Sequence, residues 1–120
     1  MSPEALRILV GQWPGVTEDM KWGCDLVFSV GGKMFCVLDT APAEAGGSGR
    51  LSFKVEETRF LEFTDRPGII PAPYMARAHW ISLTRPDALP EAERDVLLRA
   101  SYSLVLAKLP KRTQRALGGG

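Results

Sequence analysis

The chain has 120 residues, 45% of them hydrophobic and 24% charged, with 15 basic and 14 acidic side chains and a formal net charge of +1. That length and balance fit one globular domain and exclude a disordered polyelectrolyte, a collagen-like repeat and a disulfide-dense mini-protein. No apolar run approaches the roughly 18 residues that cross a membrane, and the first residues lack the basic region and apolar core of an export signal. The expectation is a cytoplasmic domain with no membrane partner.

Ser2 is a good helix N-cap, with Pro3 at the first helical position and Glu4 in the first turn. Leu6, Leu9, Val10 and Trp13 follow at helical spacing, so a first helix with one apolar face runs until Pro14-Gly15 stops it. Asp25 to Val30 and Lys33 to Asp39 flank Gly31-Gly32, a pair that favours a two-residue hairpin turn. Counting back from that turn sets Phe28 opposite Phe35, Val27 opposite Cys36 and Leu26 opposite Val37. One face of the hairpin then carries Leu26, Phe28, Val30, Phe35 and Val37 as core. The other carries Asp25, Val27, Ser29, Met34, Cys36 and Leu38, a mixed surface. Cys24 and Cys36 fall on opposite faces, so two free thiols are expected.

Thr40 to Gly49, rich in Ala, Gly and Pro, reads as a mobile loop, and Arg50 to Val55 alternates as a third half-buried strand. Glu56 to Asp65 reads as a short helix, and the prolines of 67–73 force an extended or turning path. His79 to Leu83 has strand composition. Pro90 opens the longest helix, acidic at its start and with Lys108 near its end, which complements the helix dipole. The order helix, three strands, helix, strand, helix predicts an α+β fold: a two-layer sandwich with an antiparallel sheet and helices packed on one face. The domain spans residues 1–112, and 113–120 read as a flexible tail ending in three glycines.

All 14 acidic residues lie at or before Asp95 with ten basic ones, whereas Arg99, Lys108, Lys111, Arg112 and Arg115 follow with no acid among them. A polyanion therefore has only local patches to meet. Metal binding needs converging His, Cys or carboxylate ligands. With one His and two Cys set on opposite faces, no metal site and no cofactor are expected. Cys36 and His79 would form a nucleophile–base pair only on neighbouring strands, and no other acid–base or nucleophile pair is visible, so the chain reads as non-enzymatic. Gly31-Gly32 and Gly46-Gly47-Ser48-Gly49 do not stand between a strand and a helix, as a phosphate-cradling loop requires. Trp22, Tyr74 and Trp80 are the aromatics able to stack on a base or ligand.

Pro14-Gly15-Val16-Thr17-Glu18-Asp19, Lys21-Trp22-Gly23-Cys24-Asp25-Leu26-Val27-Phe28 and Val30-Gly31-Gly32-Lys33-Met34-Phe35 together resemble the opening of the MmcQ/YjbR family. Leu51-Ser52-Phe53-Lys54, Pro67 to Met75, His79-Trp80, Ser101-Tyr102 and Lys108-Leu109-Pro110-Lys111 continue the likeness in order and spacing. The resemblance implies a CyaY-like α+β fold of "double-wing" type and a DNA-binding role, and it brings no catalytic residues. The chain departs from the pattern at Ala76-Arg77-Ala78, less basic than relatives, and in its Gly-rich 43–49 loop.

Two functional expectations follow. One is a DNA-binding module making weak, salt-sensitive, sequence-tolerant phosphate contacts through Lys33, Arg77, His79, Lys108, Lys111, Arg112 and Arg115. The other is a small-molecule or protein partner held on the mixed sheet face by Trp22, Met34, Cys36, Tyr74 and Trp80. What separates them is whether those residues line a concave pocket.

Overall fold

The computed structural model describes residues 1–117. In chain order it contains α1 (Pro3–Val10), β1 (Val16–Lys21), β2 (Asp25–Val30), β3 (Lys33–Asp39), β4 (Leu51–Lys54), α2 (Phe60–Thr64), β5 (Ile69–Pro71), β6 (Trp80–Leu83), α3 (Glu91–Ala107) and α4 (Lys111–Ala116). The six strands pair antiparallel throughout, in the order β1-β2-β3-β4-β6-β5. Leu6 and Val10 of α1, Phe63 of α2 and Leu98, Tyr102 and Val105 of α3 share one core with a single face of this sheet. The expected α+β architecture, helices on one face of an antiparallel sheet, is the one present.

The inner face is built in rows by the strand register. Leu26, Leu38, Leu51, Leu83 and Ile69 lie side by side across β2, β3, β4, β6 and β5, and beside them run Phe28, Cys36, Phe53 and Ile81. All nine are buried, and along β2, β3, β4 and β6 they recur at every second residue, as side chains sharing one face of a sheet do. Ser2 caps α1 by accepting the Ala5 N–H on its hydroxyl at 3.1 Å. The helix ends at Val10, short of Pro14, but Trp13 still packs against the core.

Three expectations are corrected. The strand β1 has no counterpart in the sequence reading, because as an edge strand with five of its six residues exposed it lacks the apolar alternation that marks a strand. At the hairpin, Gly31 and Gly32 do take left-handed φ values of 58° and 79°. The register, however, slips by one between Phe28 and Ser29. Ser29 pairs with Met34 and Phe28 with Cys36, so Phe35 is the extra residue of a β-bulge. Phe35 and Cys36 are consequently both buried, and beyond the bulge the faces exchange: Leu38 turns inward while Val37 and Asp39 turn outward. The bulge is held from α3, where the buried Ser101 hydroxyl donates to the Phe35 carbonyl at 2.6 Å and accepts the Lys54 N–H at 3.0 Å. Both thiols are free, with Cys24 exposed and Cys36 buried, the reverse of the faces expected for them.

The third correction is at the C-terminus. Residues expected to be tail form α4, entered after Pro110, with Gln114 Nε2 donating to the Leu109 carbonyl at 2.8 Å and Leu117 packed on the core. Gly118 to Gly120, the end of the expected tail, lie outside the described residues.

Candidate functional site

Among the described residues, no α-helix packs on the outer face of the sheet. Its rows are polar at one end: Lys21, Asp25 and Asp39 stand side by side on β1, β2 and β3, and the Arg50 carbonyl continues the row by accepting the Asp39 N–H at 2.9 Å. The next row runs Asp19, Val27, Val37, Ser52, Ser82 and Ile70, with the Ser52 and Ser82 hydroxyls 2.6 Å apart. The segment after β5 turns back here, Ala72 N–H donating to the Trp80 carbonyl at 3.0 Å, and becomes a wall above the sheet.

Between that wall, the β1–β2 turn and the 40–50 loop lies a cleft of about 810 Å³. Trp22, Cys24 and Asp25 line one side, Met34, Val37 and Ser52 the sheet surface, Asp39, Ser48 and Arg50 the loop side, and Ala72 to Met75 the wall. Trp22 and Tyr74 stand at it 70% and 106% exposed. Both have left-handed backbone, φ 51° and 66°, a conformation that is costly for a residue with a Cβ and concentrates at binding and active sites.

The two carboxylates of the cleft differ in what surrounds them. Asp39 accepts Ala41 N–H at 3.0 Å on one oxygen, and the Ser48 N–H and hydroxyl at 3.0 Å on the other. These bonds, led by the Ser48 and Ala41 amides, hold its carboxyl below the usual range, and they tie the loop expected to be mobile back to β3. Asp25 forms no ion pair among the described residues. Burial, with the Asp39 charge beside it, pushes its carboxyl up. The Arg50 Nε is buried and unpartnered.

A second, smaller trough of about 290 Å³ adjoins the cleft and shares Met34 and Met75 with it. Lys33 from the hairpin tip, Lys54 from the end of β4 and Lys108 from the end of α3 line it, over Trp80, Val105 and Leu109. Lys54 Nζ donates to the Ala78 carbonyl at 2.5 Å. Burial, reinforced by the Lys108 charge, lowers its pKa. Cleft and trough lie side by side, the cleft with Asp25, Asp39 and Arg50 as its charged residues and the trough lined only by cationic and apolar side chains.

Of the residues expected to meet phosphate, Lys33 and Lys108 converge in the trough, whereas exposed Arg77 lines neither depression. His79 is half-buried in left-handed backbone, its ring 5.8 Å from that of Phe60. Lys111, Arg112 and Arg115 project from α4, exposed, and outside both depressions. None of Lys33, Arg77, Lys108, Lys111, Arg112 and Arg115 is in an ion pair among the described residues. Of the expected ligand-face residues, Trp22, Met34 and Tyr74 line the cleft and Trp80 the trough. Cys36 does not: the bulge turns it into the core, where burial pushes its thiol pKa up. β4 separates the strands of Cys36 and His79, so the two are not neighbours.

Lys54, Arg50, Asp25 and Asp39 are among the site residues that sequence reasoning passed over. The signal was present for two of them, because Arg50, Ser52 and Lys54 alternate with Leu51, Phe53 and Val55 and so must share the outer face. Among the described residues no three His, Cys, Asp or Glu side chains gather as metal ligands would, and no helix is long and apolar enough to cross a membrane.

No curated protein matches the chain. In fold it is similar to a Deinococcus radiodurans protein, DR2400, assigned to the domain DUF419, with a TM-score of 0.83 and 29% identity over 96% of this chain and 86% of that one. It is also similar to a protein from Pseudomonas syringae, with a TM-score of 0.70 and 23% identity over 88% of this chain and 99% of that one. The YjbR family model matches residues 11–104, from just after α1 into α3 and including every residue of the cleft, and the chain belongs to the YjbR family.

Proposed function

We propose that this YjbR domain is a non-enzymatic, cytoplasmic nucleic-acid-binding module that meets DNA weakly and with little sequence preference. The observation that carries the reading is the convergence of Lys33, Lys54 and Lys108, from three separate elements, on one trough that no acidic residue lines. Three ammonium groups gathered on one trough without a carboxylate repel one another; burial first, and the Lys108 charge after it, lower the Lys54 pKa. A phosphate backbone relieves it. Exposed Lys111, Arg112 and Arg115 of α4 supply further phosphate contacts beside the trough. Nothing in the groove presents a fixed pair of donors and acceptors to a base edge in a duplex, hence the tolerance of sequence. A free, exposed Cys24 fits a reducing compartment.

The second reading, a small-molecule or protein partner, is favoured by the size of the cleft, which is within the roughly 300–1,000 Å³ of ligand sites.

The test is a salt titration. Wild-type protein binds DNA at low ionic strength, and the combined change of Lys33, Lys54 and Lys108 to Gln lowers the slope of log affinity against log salt by about two to three. The same change at Lys111, Arg112 and Arg115 lowers it less. Absence of wild-type binding at low salt removes the nucleic-acid reading and leaves the small-molecule one.

A further inference from the structure

Resting on that reading, we propose that the cleft beside the lysine trough receives an unpaired nucleobase, so that the domain selects single-stranded over duplex nucleic acid. The argument is one of complementarity along the groove. Trp22 and Tyr74 offer exposed ring faces at the cleft, and Met34 and Val37 give its sheet surface an apolar character. Bases stack on such rings whatever their identity, and single-strand binders combine this stacking with a cationic track for the backbone.

The charges assign the two halves of a nucleotide to the two halves of the groove. The cleft sets two carboxylates, Asp25 and Asp39, against one cation, Arg50, whereas the trough holds Lys33, Lys54 and Lys108 with no carboxylate, so phosphate favours the trough, and the shared residues Met34 and Met75 put the two depressions side by side. A base enters and its phosphate stays out. Asp39 is occupied by Ala41 and Ser48, but among the described residues Asp25 has no ion-pair partner, and its carboxylate is an acceptor for the exocyclic amine of cytosine or adenine. In a duplex, the base faces are stacked and unavailable to Trp22 and Tyr74 unless a nucleotide is flipped out, which costs a few kcal/mol. Both aromatics combine a left-handed backbone with an exposed ring, so neither is held in place by core packing.

The experiment titrates the full chain with a short dye-labelled oligodeoxycytidine strand and with the same strand annealed to its complement, at one low salt concentration, following the anisotropy of the label for every variant and, where Trp22 is present, tryptophan emission as well. Trp80 is buried and Trp13 half-buried, so Trp22 is the tryptophan that an incoming base reaches. The single strand is expected to bind about tenfold or more tighter than the duplex and to quench the emission. Trp22→Ala and Tyr74→Ala each weaken strand binding by about tenfold and leave duplex binding and the thermal transition unchanged, both side chains being exposed. Equal affinity for strand and duplex, with both variants binding as wild type, overturns the nucleobase pocket while leaving the phosphate-binding trough intact. Failure of both strand and duplex to bind overturns the two readings together.

Discussion

The two faces of this sheet are made from alternate residues of the same strands, yet they are organised by different physics. On the inner face, Leu26, Leu38, Leu51, Leu83 and Ile69 form an unbroken apolar row beneath α1 and α3, and burial of such side chains is the main source of stability. One residue further along each strand, the outer face carries Asp25, Asp39 and Ser52 around an open groove. There, charge and exposed aromatics exact local costs that binding would relieve. The lesson is that the inner face determines whether the chain folds and the outer face what it meets, and the β-bulge at Phe35 decides which residues belong to which.

Truncating one side chain on each face gives the largest contrast. Phe35→Ala removes a fully buried ring that packs at 5.5 Å centroid distance on Tyr102 and 6.1 Å on Trp13, and it is expected to cost about 3–5 kcal/mol in chemical denaturation. Trp22→Ala on the outer side, 70% exposed, is expected to stay within about 0.5 kcal/mol. Equal losses would break the comparison.

A smaller effect is expected where α3 holds the bulge. Ser101→Ala leaves the Phe35 carbonyl and the Lys54 N–H without their partner in a buried setting, at a cost of about 1–3 kcal/mol by the same measurement. Because Lys54 and Lys33 depend on that local geometry to meet in the trough, the proposed nucleic-acid reading expects the variant also to bind DNA more weakly under conditions where it is fully folded. A Ser101→Ala protein as stable as wild type would mean that the bulge needs no support from the helix.

The smallest effects are opposite in sign at two adjacent carboxylates. The Asp39 pKa is lowered from its ordinary value of 3.8, so its contribution to stability is present above that value and is lost as pH falls through the folded pKa. The Asp25 pKa is raised, so folding favours its protonated form and the ionised form carries a penalty as pH rises through the folded pKa. Asp39→Asn should therefore lower the thermal midpoint at neutral pH, and Asp25→Asn should raise it, each by the equivalent of about 1 kcal/mol or less. Both differences should shrink in acid. The same sign for both variants at neutral pH would contradict the distinct surroundings of the two groups.

What the sequence determined by itself is local. The N-cap at Ser2, the Gly31-Gly32 turn, the alternation of Leu51, Phe53 and Val55 and the long helix after Pro90 are each written within a few neighbouring residues, and together with the family likeness they sufficed for the α+β class. The tertiary structure decided what depends on partners far along the chain. An edge strand such as β1 is exposed on its surface and has no hydropathy period of its own, existing because β2 offers its backbone a ladder. Turn chemistry fixed the pairing only as far as Val30 and Ser29. The slip after that is stabilised by Ser101, 66 residues away in the chain, and it sends Cys36 to the core and Asp39 to the cleft. Lys54 likewise meets Lys33 and Lys108 only because β3, β4 and α3 pack side by side. Hydropathy period records which side of a strand is wet, but a one-residue bulge inverts that record without changing composition, so the site became legible only once the strands were paired.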